Sequence, residues 1–206
     1  MKQPLFTTPP SSICILRLSA LGDVCHVLPV VRTLQDTWPS TQLTWILGKL
    51  EHKLLGHLPG IEFIVFDKNA GGQGYRDLRS QLRGRRFDAL LHMQLALRAS
   101  IASIMVPARH RLGFDRARAR EGQWLFTNAK IEARSREHVL DSLFGFAERL
   151  GVATRSMRWD IPLPDSARAY ANEAIPHAAR PTLVLSPCSS HELRNWSVVR
   201  YAALAD

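Results

Sequence analysis

Short apolar runs and longer amphipathic stretches alternate along the first 150 residues. Ile13–Leu18, Leu43–Leu47, Glu62–Asp67, Ala89–Met93 and Arg111–Phe114 are brief runs bounded by polar or turn residues, which predicts strands. Val24–Thr37, Glu51–His57, Tyr75–Arg85, Ser100–Val106 and Arg136–Leu150 carry apolar positions at helical spacing. In the first of these, Val24, Val27, Leu28, Val31 and Leu34 share one face. Strands that alternate with helices predict an α/β fold with a parallel sheet covered on both faces. Pro29 removes one donor inside the first helix and strains against the Cys25 carbonyl, so a kink is expected there. Gly151 stops the last helix.

Beyond Gly151 the pattern changes. Ile161-Pro-Leu-Pro164 is extended and cannot be helical, so it reads as the exit from a first domain spanning 1–164. Residues 165–206 then predict a linker helix at Ser166–Ile175, a new strand at Pro181–Leu185 and a helix near Val198. The roughly 25 residues beyond Arg180 are too few for a domain, so the chain is expected to be the front part of a longer protein.

Hydrophobic content of 46% and charged content of 22% in 206 residues suit an ordinary core. No apolar run approaches the ~20 residues a bilayer-spanning helix needs. Met1–Ser12 lacks a signal-peptide pattern, so a cytoplasmic location is expected. Cys14, Cys25 and Cys188 have no metal-ligand spacing and imply reduced thiols. The net charge of +9 is concentrated: eleven arginines between Arg76 and Arg120 face Asp77, Asp88 and Asp115. Such a field favours polyanions, whether nucleic acid, an anionic membrane surface or a phosphorylated substrate. For most of these arginines the better reading is a solvated helix face, and no aromatics interleave with them as a base-stacking platform would require.

The turn Ser19-Ala-Leu-Gly-Asp23 follows the first strand and precedes the first helix. That places a carboxylate at the carboxyl end of a strand, where open α/β sheets bind ligands. Asp23 reads either as a helix N-cap or as a general base at the mouth of a cleft. The turn lacks the first two glycines of the dinucleotide fingerprint. Ser186-Pro-Cys-Ser-Ser-His-Glu-Leu-Arg194 repeats the design after the later strand, with hydroxyls and an arginine suited either to phosphate or to capping.

These segments together resemble the heptosyltransferases, the lipopolysaccharide-core glycosyltransferases that use ADP-heptose. The resemblance runs through Ile15-Leu-Arg-Leu-Ser-Ala-Leu-Gly-Asp23-Val-Cys-His-Val-Leu-Pro29, Arg86-Phe-Asp88-Ala-Leu-Leu-His-Met-Gln94, Leu112-Gly-Phe-Asp115 and Glu137-His138. It ends in Leu185-Ser-Pro-Cys-Ser-Ser190 with Arg194-Asn-Trp196. It implies a GT-B protein of two Rossmann-like domains facing each other across a cleft. The N-terminal one would bind the acceptor and the C-terminal one the nucleotide-sugar. By that resemblance Asp23 is the catalytic base. Ser189, Ser190 and Arg194 contact the donor phosphates, although relatives often carry Thr and Lys at such positions.

Lys68, Arg98 and Arg120 follow strand ends and are candidates to hold a phosphorylated, acidic glycolipid acceptor. His26 either faces the cleft or plays a structural part, and His138 is expected to cap or pack at its helix start. No Asp-x-Asp occurs, which fits an inverting transfer without metal or cofactor. The family's nucleotide- and ribose-binding acids and its Asp-Thr-Gly…His segment have no match here, so the chain alone is not expected to transfer sugar. Rival readings are a non-catalytic module for anionic glycolipids and a basic nucleic-acid-binding α/β domain. The donor sugar, the acceptor position and the oligomeric state stay open, and membrane contact is expected to be peripheral at most.

Overall fold

The computed structural model describes residues 2–175, 182–186, 189 and 192–206. They divide into two units, Met1–Pro162 and Leu163–Asp206. In the first, β1 (Ser12–Leu16), β2 (Gln42–Gly48), β3 (Ile61–Phe66), β4 (Phe87–His92), β5 (Ala108–Gly113) and β6 (Ala129–Lys130) form one parallel sheet in the order β3-β2-β1-β4-β5-β6. Helices α1 (Leu21–Thr37), α2 (Lys49–Leu55), α3 (Gly72–Gln81) and α4 (Leu97–Ile104) make the crossovers, and a 3-10 turn at Gln123–Leu125 lies between β5 and β6. Helix α5 (Val139–Leu150) follows the last strand. This is a Rossmann-like α/β architecture.

Strand periodicity sorts the core into two layers. Ile13 and Ile15 of β1 pack on one face, with Leu43, Trp45 and Leu47 of β2 and the apolar sides of α1 and α5. Cys14 and Leu16 point to the other, against Ile46, Leu90, Leu78 of α3 and Ala99 and Ala102 of α4. Because β1 is buried on both faces, it reads as an unbroken apolar run.

Helix α1 is continuous through Pro29. The Cys25 carbonyl, which a proline at that position cannot serve, instead accepts the Trp159 indole N–H at 2.9 Å. Gly151 closes α5 with φ +120°, and a Cβ there would lie 2.5 Å from the Phe6 carbonyl oxygen.

Most helices begin a few residues before the predicted start, because the first two residues of α1 to α4 are exposed and add no apolar period. The reverse holds for α5, which starts at Val139 with His138 as its N-cap. Strand β6 is two residues long, too short for any period to register. The second unit contains α6 (Asp165–Ala174), a 3-10 turn at Glu192–Arg194 and α7 (Val198–Ala205). The strand expected at 181–185 is not formed by the described residues 182–186. A strand exists only through ladder partners, and none pairs with this segment among the described residues. Leu183, Val184, Val198 and Val199 are accordingly exposed.

Candidate active site

The strand order reverses at β1, whose sheet neighbours are β2 on one side and β4 on the other. The crevice outside the carboxyl ends at such a switch point is the usual ligand site of an open α/β sheet. The chain leaves β1 there through Arg17-Leu18-Ser19-Ala20 and enters α1. Ala20 is the N-cap, so Asp23 sits at the third helical position and is not itself the cap. Its Oδ2 accepts the Ala20 backbone N–H at 3.1 Å and pairs with the Arg17 guanidinium at 2.6 Å. Its Oδ1 has no hydrogen-bond partner among the described residues. The side chain is 41% exposed, and nothing lies within 4 Å of where a Cβ would sit on neighbouring Gly22. One carboxylate oxygen is therefore anchored while the other is open to an incoming hydroxyl.

The turn is held by side chains. Arg17 donates to the Ser19 carbonyl at 3.0 Å and to the Met93 carbonyl. Gln94 accepts the Leu18 N–H at 2.7 Å and donates to Ser19 Oγ at 3.3 Å. Fully buried Gln123 donates to the carbonyls of His92 and Gln94 and accepts the Phe114 N–H. The ends of β1, β4 and β5 are thus fastened together where backbone pairing stops. Neither glutamine carries a sequence signal for such a part, because one follows the end of β4 and the other lies in the loop between β5 and β6.

A cleft of about 180 Å³ opens beside this turn, lined by Ser19, Lys49, Glu51, Asp67, Lys68 and Arg98 among others. Lys68 and Arg98 therefore meet in one cavity. Lys49 pairs with Asp67 at 2.7 Å, and that hydrogen bond, with one from the Asn69 N–H, holds the Asp67 carboxyl below its ordinary range. Arg120 does not line the cleft and is exposed. Its neighbour Glu121 accepts the Leu97 N–H at 2.6 Å, which ties that loop to the start of α4 one residue before Arg98.

The arginine-rich segment is not uniformly a solvated surface. Arg111 donates to the carbonyls of Ser103, Val106 and Phe126. Arg85 grips Glu62. Arg118 binds Asp115, Glu137, Ser142 Oγ and the Glu132 carbonyl, joining two of the motif segments. Burial pushes the Asp115 carboxyl up, and the bond and charge of Arg118 outweigh it, leaving it below its ordinary range. His138 Nδ1 accepts the Leu140 N–H as a cap, and His26 packs edge-on against its ring at 6.1 Å.

In the second unit the Ser189 N–H donates to Asn195 Oδ1 at 2.7 Å, closing a loop ahead of α7. Arg194 ends the 3-10 turn, exposed and without an ion pair among the described residues. Ser190 lies outside the described residues. Of the cysteines, Cys14 and Cys25 are free thiols, both pushed up by burial, and Cys188 also lies outside.

Residues 75–206 match the family model for glycosyltransferase family 9 (heptosyltransferase). The chain is 45% identical over 203 residues to the lipopolysaccharide core heptosyltransferase OpsX of Haemophilus influenzae, covering 98% of this chain and 58% of that protein. It therefore spans about three-fifths of the length of this curated relative. A glycosyl transferase family 9 structure from Veillonella parvula superposes with a TM-score of 0.75 at 22% identity, covering 95% of this chain and 58% of that one. The E. coli heptosyltransferase WaaC with ADP-2-deoxy-2-fluoro heptose gives 0.72 at 18% identity, with 94% and 64% covered. At these identities the two structures speak for the fold.

Proposed function

The chain belongs to glycosyltransferase family 9, the heptosyltransferases, and from that premise we propose that the protein transfers heptose from ADP-heptose to the inner core of lipopolysaccharide, with inversion and without a metal. The observation that carries this is the Asp23 carboxylate. Arg17 and the Ala20 N–H hold Oδ2, while Oδ1 is open. In the transfer Oδ1 takes the proton of the acceptor hydroxyl as its oxygen bonds to the anomeric carbon. The bond from that carbon to the diphosphate breaks, and ADP leaves with the electron pair. Ser189, Ser190 and Arg194 bind the departing diphosphate, where donors and positive charge lower the barrier. Lys68 and Arg98, which share the cleft, bind the acidic groups of the acceptor, and Arg120 does so from the adjoining loop.

The donor assignment is supported by the ADP-heptose analogue bound to the structural relative, and the acceptor by the name of the curated one. We assign residues 1–164 to acceptor binding and 165–206 to the start of the donor-binding part, and the chain alone to an inactive state.

We further propose a cytoplasmic protein resting peripherally on the inner membrane. No described helix is long and apolar enough to cross a membrane. Exposed Leu97, Ile101 and Ile104 share one face of α4, and Ile104 adjoins exposed Leu125 on one side and Arg79 and Arg83 on the other. Apolar side chains ringed by arginines suit an anionic bilayer surface.

The test is transfer by the full-length protein from ADP-heptose to a core-deficient glycolipid, read by NMR of the new linkage. An inverted anomeric centre formed in excess EDTA is expected. Retention of configuration, EDTA-sensitive transfer or no transfer contradicts the proposal.

A further inference from the structure

Glu51 is a largely buried residue whose carboxylate oxygens keep their access to solvent and make no bond to the described residues. It is 6% exposed, lines the cleft with Lys49, Lys68 and Arg98, and has no hydrogen bond or ion pair among the described residues. Two donors close to it in sequence are committed elsewhere. Lys49 Nζ lies on Asp67 at 2.7 Å. The N–H of Gly48, at the cap position before it, donates to the Leu18 carbonyl at 2.9 Å, so Glu51 does not act as a cap. Its Oε2 packs against Gly48 where any Cβ would collide, and a glycine there makes the room it occupies. A carboxylate that opens into a cleft beside two cations can accept hydrogen bonds from a ligand that enters it.

We propose that Glu51 determines acceptor specificity by accepting hydrogen bonds from hydroxyls of a polyhydroxylated anionic sugar whose charge rests on Lys68 and Arg98. This deepens, and rests on, the reading of the cleft as the acceptor site. The lining of the cleft offers complementary chemistry. Lys68 and Arg98 only donate, whereas a Glu51 carboxylate accepts. A bare anion satisfies the cations and is repelled by Glu51, while a sugar bearing both an anion and hydroxyls satisfies both. Glu51 therefore selects as much by repulsion as by attraction.

NMR titration of the 206-residue chain with glucose 6-phosphate and with inorganic phosphate tests this. The wild type is expected to bind the sugar phosphate about tenfold more tightly than phosphate, the value of one charge-assisted hydrogen bond. The Gly48 and Glu51 amide signals are expected to move with the sugar phosphate only. In Glu51→Gln the preference shrinks, and in Glu51→Leu it vanishes, while phosphate binds at least as tightly as before. Lys68→Ala with Arg98→Ala weakens both ligands.

A folded Glu51→Leu that keeps the wild-type ratio, even with a lowered melting temperature, assigns Glu51 a structural role and overturns the proposal alone. Should neither variant fold, unmoved Gly48 and Glu51 amides in the wild type overturn it as well. Binding of neither anion to the wild type overturns it together with the acceptor-site reading.

Discussion

Gln94 and Gln123 hold the Asp23 turn at the point where the sheet's own hydrogen bonds run out. Each is buried and shares its amide between strand ends. Replacing either by Leu leaves buried backbone groups unpaired, at a cost of about 1–3 kcal/mol. Urea denaturation of Gln123→Leu is expected to show that loss, and Gln94→Leu in the full-length protein to lower kcat more than it raises the donor KM. His92 adds a pH signature. Burial, reinforced by the charge of Arg111, pushes its imidazole down to about 3, whereas an unfolded histidine titrates near ~6.5. Between those values the unfolded chain binds a proton that the fold refuses, so stability falls as pH drops from about 6.5, by up to about 1.4 kcal/mol per unit. Denaturant melts between pH 7 and 5 are expected to show this slope, and His92→Gln to flatten it. Asp23 was legible in the sequence because a carboxylate after an apolar strand marks a place in the fold. Its third-position setting was not, since Leu21 and Gly22 give no helical period. Glu51 read as an ordinary helix start, because pattern does not reveal which donors are already taken.

Helix α1 shows how one element compensates for a local defect. Pro29 cannot serve the Cys25 carbonyl, and the Trp159 indole does so from more than a hundred residues away. Trp159→Phe is expected to cost about 1 kcal/mol in thermal or chemical melts. The cost should be smaller in a Pro29→Ala background, where the helix supplies its own donor. The missing donor was readable from Pro29 alone, but its replacement was not, since a long-range partner leaves no local periodicity. Elements packed on both faces, such as β1, were plain from their apolar runs. The edge pair β6 and the polar first turns of α2 and α3 were not, because they bury too little to need a pattern.

At the scale of the whole molecule, short apolar strand runs alternating with amphipathic helices dictate the α/β class without any motif. The basic charge divides in the structure. Arg111 and Arg118 are spent on carbonyls and on largely buried carboxylates, and Arg85 on exposed Glu62, while Arg98 and Lys68 line a cleft. That division does not follow from composition. The full-length protein is expected to cosediment with anionic vesicles more strongly than with neutral ones, less so at high salt, and Ile104→Asp to weaken this. The measurement that bears most directly on the account is single-turnover transfer by full-length Asp23→Asn, which keeps the shape of the side chain and removes its basicity. The account predicts a rate lower by about 10²–10⁴-fold with acceptor affinity within a few fold of wild type. Transfer at the wild-type rate by a folded Asp23→Asn protein would contradict it.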